Sequence, residues 1–153
     1  MKLIISVGFP LLIGFIGSFY TMPAIGGWYA TLVQPSIAPL NWVFGPVWTL
    51  LYILMGIAAF LVWRRGLENK WVRIGLSLFL LQLILNLFWS IIFFRLENIG
   101  GALIEIVVLW VFIVATMIAF FKVSRLAAFL LVPYLLWVSF AAYLNYSFWI
   151  LNV

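Results

Sequence analysis

The stretch WYATLVQPSIAPLNWVFGPVWTLLY, residues 28–52, decides how the rest of the chain is read. It carries no charged side chain, has prolines at 35, 39 and 46, and holds three tryptophans (Trp28, Trp42, Trp48) and three other aromatics (Tyr29, Phe44, Tyr52). A helix cannot run smoothly through Pro35 and Pro39, because each lacks an amide donor and crowds the preceding turn. An apolar segment precedes the stretch, and its second half runs into another. A long, aromatic, uncharged loop between apolar segments resembles a lid over an apolar pocket more than a simple connector.

The composition outside this stretch sets the solvent. Of 153 residues, 69% are hydrophobic and 7% charged, far outside the range of water-soluble domains. No charged side chain lies between Lys2 and Arg64. A soluble fold of this size cannot hide that much apolar surface. Lys2 followed by an apolar run is the pattern of a signal peptide, but no small-residue cleavage site is clear and further spans follow, so the segment reads as a retained helix. The chain has no Cys and no His, which removes disulfides, thiolate nucleophiles, imidazole bases and the usual zinc and haem ligands. Glu68, Glu97 and Glu105 are the only acids, so neither a carboxylate metal site nor any other metal site is expected.

Five segments are long enough for a hydrocarbon core of about 30 Å, which needs roughly 20 helical residues. They are Leu3–Tyr20, Val43–Trp63, Ile74–Phe94, Gly101–Phe121 and Leu126–Leu151, joined by Thr21–Trp42, Arg64–Arg73, Arg95–Gly100 and Lys122–Arg125. Backbone polar groups in lipid must be paired within the segment, so each span is helical, and the short alternating strands of a β-barrel are absent. The expected fold is an all-α integral membrane protein, a single domain forming a bundle of five transmembrane helices. Lys2, Arg64, Arg65, Lys70, Arg73, Lys122 and Arg125 fall on one side of the membrane and Arg95 on the other. This bias places the N-terminus in the cytoplasm and the C-terminus and first loop outside it. The positive charge therefore encodes topology, with some attraction to anionic headgroups, and no basic face with accessible stacking residues points to nucleic acid.

Candidate chemistry lies inside the spans. Gln82, Asn86 and Ser90 recur at intervals of four in the third span, with Trp89 and Phe93 beside them. Such amides must face protein or a cavity. Hydrogen bonds between helices and a polar pocket lining are the two readings. In the fifth span Trp137, Ala141 and Asn145 share a face, which leaves either a recess at Ala141 or a close helix contact. Phe44, Trp48, Tyr52 and Met55 form an aromatic stripe in the second span. Trp63 and Trp71 read as interfacial anchors, Trp110 as lipid-facing or packing, and Glu105 as a carboxylate near the bilayer's outer region. Glycines 8, 14, 17 and 75 permit close helix approach without forming a G-x-x-x-G seam. Together these residues describe a Trp/Tyr/Asn-lined interior suited to flat, apolar, conjugated ligands.

The chain resembles the translocator protein family, whose bacterial members are called tryptophan-rich sensory proteins. The resemblance covers nearly the whole chain. It rests on Trp28-Tyr29, Leu32, Pro35 and Pro39, then Asn41-Trp42-Val43-Phe44, Pro46-Val47-Trp48 and Leu51-Tyr52. It continues through Asn86, Trp89-Ser90 and Phe93-Phe94 to Pro133-Tyr134, Trp137, Phe140-Ala141, Leu144-Asn145-Tyr146 and Trp149. It implies a five-helix bundle, often a homodimer, in a prokaryotic membrane for a chain of this kind. The implied role is a receptor or sensor for porphyrins such as protoporphyrin IX, with no resident cofactor. Some family members also take synthetic benzodiazepine-site ligands and cholesterol.

The resemblance further implies that ligand contacts come from Tyr29, Pro39, Phe44, Trp48, Tyr52, Asn86, Trp89, Trp137, Ala141 and Asn145, under the first loop. Light-dependent porphyrin degradation, needing Trp48 and Trp137, and transport of tetrapyrroles or lipid-like molecules are the alternatives it carries. The chain departs from the family in places. Tyr146 is followed by Ser147, Phe148, Trp149 and Ile150, without the basic residue of the family's cholesterol motif. Pro39-Leu40 replaces a frequent proline pair, and Ala30 stands where some members have an acid. The absence of His and Cys favours metal-free porphyrin over haem. The absence of an acid from the first two spans counts against proton-coupled export.

Overall fold

The computed structural model describes all 153 residues, and every regular element in it is helical. Five spans are long and apolar enough to cross a membrane: Lys2–Thr31, Asn41–Trp63, Lys70–Arg95, Ile99–Phe121 and Arg125–Asn152. The protein is an integral, multi-pass membrane protein. Its surface fits that solvent, because large apolar side chains face outward along each span, among them Ile4, Leu50, Ile84, Ile104 and Leu136.

The ends of the spans differ from the hydropathy reading, for local reasons. The first helix does not stop at Tyr20. α1 runs Lys2–Gly26 through both Pro10 and Pro23, and α2 (Trp28–Thr31) follows after a break at Gly27. A proline removes only one intrahelical bond, and the remaining bonds hold a helix that has no water to turn to. The true loop is therefore short, residues 32–40, and Trp28 and Tyr29 are helical. α3 is Asn41–Trp63, with Pro46 in its first two turns. α4, Lys70–Ser90, starts a turn earlier than expected because the Asn69 side chain accepts the Trp71 N–H at 2.8 Å. It ends in a π-helical turn, Ile91–Arg95. α5, Ile99–Phe121, is capped by the Asn98 side chain, which accepts the Gly101 N–H at 2.8 Å. The fifth span is two helices, α6 (Arg125–Leu130) and α7 (Val132–Asn152). Pro133 has no N–H for the Phe129 carbonyl, and the chain offsets at Leu131.

Around the bundle the spans run first, second, fifth, fourth, third, and back to the first. α1 and α3 meet most closely where Gly56 lies against the backbone of Ser6 and Val7. A Cβ there would run into Val7 Cα and lie 2.7 Å from the Ser6 carbonyl. Gly14 receives the Tyr52 ring in the same way, and Gly75 the Phe120 ring. Gly56 is the close-approach glycine that the sequence reading missed, while Gly8 touches nothing. The half of the bundle nearer the basic loops is solidly packed around Met55, Val62, Val72, Phe79, Phe120 and Leu131. A smaller cluster of Tyr29, Phe93, Ile99, Ala102, Leu144 and Phe148 closes the opposite end. Between them the interior opens.

Candidate functional site

That opening is a cavity of about 740 Å³, within the roughly 300–1,000 Å³ of typical small-molecule sites. α1, α2, α3, α4 with its π turn, and α7 supply the walls, and no lining side chain is charged. Trp48 and Tyr52 stack with centroids 5.5 Å apart and planes at 27°, and Tyr134 meets the Trp48 ring edge-on at 6.2 Å. Across the cavity Trp137 sits edge-on to Phe44 at 6.2 Å. Trp89 stacks on Phe93 at 5.3 Å, and Tyr29 is caged by Phe93, Phe94 and Phe148. The aromatic faces are therefore braced by other rings before any ligand arrives.

The polar groups divide into three sets. One lies beneath the cavity, where the Tyr52 hydroxyl donates to Asn86 Oδ1 at 2.7 Å. Asn86 Nδ2 donates to the Tyr134 hydroxyl at 3.2 Å, and that hydroxyl donates to Gln82 Oε1 at 2.7 Å. This buried network ties α3, α4 and α7 together. The second fixes a wall: Trp89 Nε1 donates to Asn145 Oδ1 at 3.1 Å, and Asn145 Nδ2 donates to the Ile99 carbonyl at 2.9 Å. The third comprises the hydroxyls of Ser18, Thr21 and Thr49, each bonded to a carbonyl of its own helix. The Tyr29 hydroxyl alone on this wall is buried with no hydrogen-bond partner.

Eight of the ten residues expected here line this one cavity: Tyr29, Phe44, Trp48, Tyr52, Trp89, Trp137, Ala141 and Asn145. Asn86 does not, because the cavity ends at the Tyr52 ring and Asn86 bonds that ring's hydroxyl from below. Of the two readings of the amide stripe, bonding between helices describes Gln82 and Asn86, while Ser90 reaches the wall. Pro39 does not line it either. The loop is fastened across the end of α7, where Val33 N–H donates to Asn152 Oδ1 at 2.7 Å and Asn152 Nδ2 donates to the Val33 carbonyl at 3.2 Å. Leu32 and Ala38 pack on the small aromatic cluster, and Pro39 lies on the return to α3. What this connection presents to the cavity is Thr21, Met22, Ile25 and Tyr29 on one side and Asn41 and Trp42 on the other.

The sequence reading put no residue of the first span in the site. Leu11, Gly14, Gly17, Ser18 and Thr21 all line it, and the small or polar residues among them, Gly14, Gly17, Ser18 and Thr21, at intervals of three and four, were the available signal. Phe15, Met22 and Trp42 line the cavity and are also 61%, 72% and 71% exposed on the outside, so it opens sideways between α1 and α3. Trp110 is exposed on the outer face, as a lipid-facing residue would be, and its Nε1 donates to Ser139 Oγ at 2.8 Å. Both Glu105 oxygens are buried without a hydrogen-bond partner.

Five apolar helices around an uncharged, aromatic, laterally open cavity define a small multi-pass membrane protein built around an internal apolar chamber. The chain belongs to the TspO/MBR family, whose model matches residues 6–150. It is 47% identical over 152 residues to the tryptophan-rich protein TspO of Chlorobaculum tepidum, across 99% of this chain and 96% of that one. It is 41% identical over 152 residues to the protein of that name from Archaeoglobus fulgidus, across 99% and 97% of the two chains. Its identity to the translocator protein of Homo sapiens is 42% over 137 residues, covering 88% of this chain and 80% of that one.

Proposed function

We propose that this protein is a membrane receptor or sensor that takes up flat, apolar, conjugated molecules, porphyrins such as protoporphyrin IX in particular, into the cavity. The observation that carries the reading is the pair Trp48 and Trp137 on facing helices, bordering one uncharged space and each held by neighbouring rings. A rigid aromatic slot favours a planar ligand by stacking and by apolar burial, with little ordering cost. Asn41, Ser90 and the indole N–H groups of Trp48 and Trp137 are polar groups on the lining left to meet a ligand's polar edge. The name of a relative from Cereibacter sphaeroides, tryptophan-rich sensory protein, agrees with a sensing role. The first loop and α2 act together as the lid, with the loop's tie to Asn152 holding α2 in place.

Titration of the purified protein with protoporphyrin IX, followed by tryptophan fluorescence, tests this. Saturable quenching that weakens in Trp48→Leu and Trp137→Leu is expected. Quenching that never saturates, or that is identical in both variants, overturns it.

The same two indoles favour a second reading, light-driven porphyrin breakdown. An indole beside a photoexcited macrocycle can pass it one electron, which dissolved dioxygen then accepts. Trp48→Phe and Trp137→Phe keep an aromatic face, so they should keep most of the binding and lose most of the light-driven bleaching. Bleaching at the wild-type rate in both leaves the receptor reading alone.

A further inference from the structure

We propose that a second site, a groove on the outer face of the bundle at its basic end, holds one acyl chain of an anionic phospholipid, with the headgroup on Lys122 and Arg125. The groove follows from the break in the fifth span. α6 and α7 are offset at Leu131, and the gap this leaves against the last turns of α5 encloses about 370 Å³. Its walls are apolar apart from one residue: Val114, Met117, Ile118 and Phe121 on α5 face Phe129 and Leu135, with Lys122 at the end. From Val114 to Lys122 the furrow runs eight residues, about 12 Å along the helix axis. Its rim residues Ile118, Phe121 and Phe129 are exposed on the face that meets lipid.

The charge at its end selects the occupant. The Arg125 guanidinium lies over the Phe121 ring, 5.7 Å from the centroid, so a second cation stands beside Lys122 at the same mouth. No acidic residue follows Glu105 in the chain, so neither α5 beyond it nor α6 or α7 can neutralise these two. The neighbouring loop between α3 and α4 brings Arg64, Arg65 and Lys70 against a single acid, Glu68. An apolar furrow that ends in unpaired cations at the interface matches an amphiphile with an anionic head. The internal cavity, with no charged wall, does not.

The test uses the full chain in nanodiscs doped with diazirine-tailed phosphatidylglycerol or with phosphatidylcholine of the same chain length. Crosslinked residues are mapped after illumination. Two surface cations at roughly fivefold each predict a preference for phosphatidylglycerol of about twenty-fivefold. Labels should concentrate on the α5 and α6/α7 groove residues. Lys122 is exposed, so Lys122→Gln should fold normally and cut the preference by about fivefold. Val114→Phe, which fills the furrow, should remove groove labelling by both lipids. Equal labelling by the two lipids, labels spread evenly over the bundle, or an undiminished preference in Lys122→Gln would each show ordinary boundary lipid and overturn the proposal. Unchanged groove labelling in Val114→Phe would overturn it as well.

Discussion

Replacing Asn86 with leucine separates a structural amide from a ligand contact. Leucine keeps the branched four-atom skeleton of asparagine, with methyls in place of the amide oxygen and nitrogen, so the change removes two hydrogen bonds and adds some bulk. The bonds lost are the 2.7 Å bond from the Tyr52 hydroxyl and the 3.2 Å bond to the Tyr134 hydroxyl. Tyr134 keeps its bond to Gln82, whereas Tyr52, buried beneath the cavity, is left with an unpaired hydroxyl. Hydrogen bonds between membrane helices average about 0.6 kcal/mol and reach about 1.7, and a stranded buried hydroxyl costs about 1–3 kcal/mol. The stranding cost already contains the lost Tyr52 bond, so the expected loss is about 1–3 kcal/mol in bundle stability, read as an earlier unfolding transition when sodium dodecyl sulfate is titrated into mild-detergent micelles. The Tyr52 ring stays stacked on Trp48 and still shields position 86 from the cavity, so porphyrin affinity should fall less than about threefold, under ~0.7 kcal/mol. Unchanged stability together with a large loss of affinity would refute this, because it would mean that the amide reaches the ligand directly.

Gly56→Ala should force α1 and α3 apart where Gly56 meets the backbone of Ser6 and Val7, since its methyl would run into Val7; overpacking of this kind costs about 1–3 kcal/mol, and a wild-type thermal midpoint would show that the close contact does not exist. Asn152→Ala removes both bonds to Val33 and frees the loop, so ligand dissociation should speed up by roughly fivefold for about 1 kcal/mol lost, while an unchanged rate would mean that the loop does not hold α2 over the cavity. The base distribution predicts a cytoplasmic N-terminus. Because the chain has no cysteine, single cysteines at Glu68 and Val153 should react from opposite sides of sealed, oriented vesicles, and labelling of both from one side would refute an odd number of spans.

The spans were legible because hydropathy over twenty residues is a large, additive signal, whereas their ends were not, because single residues decide them. Pro23 looks like a stop by the rules for helices in water. In lipid the alternative to a helix is a set of unpaired carbonyls, and α1 runs on for most of a turn to Gly26 before breaking at Gly27. Pro133 sits in an otherwise uniform apolar run. Its effect, an offset between α6 and α7, is invisible to a window average, and with it the groove beside Lys122. Asn69 and Asn98 each carry the start of a helix into what reads as loop, through one capping bond.

The site shows the same division between face and depth. Periodicity places Asn86 and Ser90 on the correct side of α4, and both point towards the bundle axis. Periodicity does not say where along that axis the space ends. One turn, about 6 Å of rise, separates a serine that borders the cavity from an asparagine beneath its floor. The floor is a ring from another helix, Tyr52, and its height depends on how far α3 slides past α1 before Gly14 admits that ring. The cavity's depth is thus set by a glycine on one helix, a tyrosine on a second and an amide on a third. A single helical stripe, read alone, cannot report a distance that three helices fix jointly. For the same reason Gly14, noted only as a packing residue, turns out to shape the site as directly as the tryptophans do.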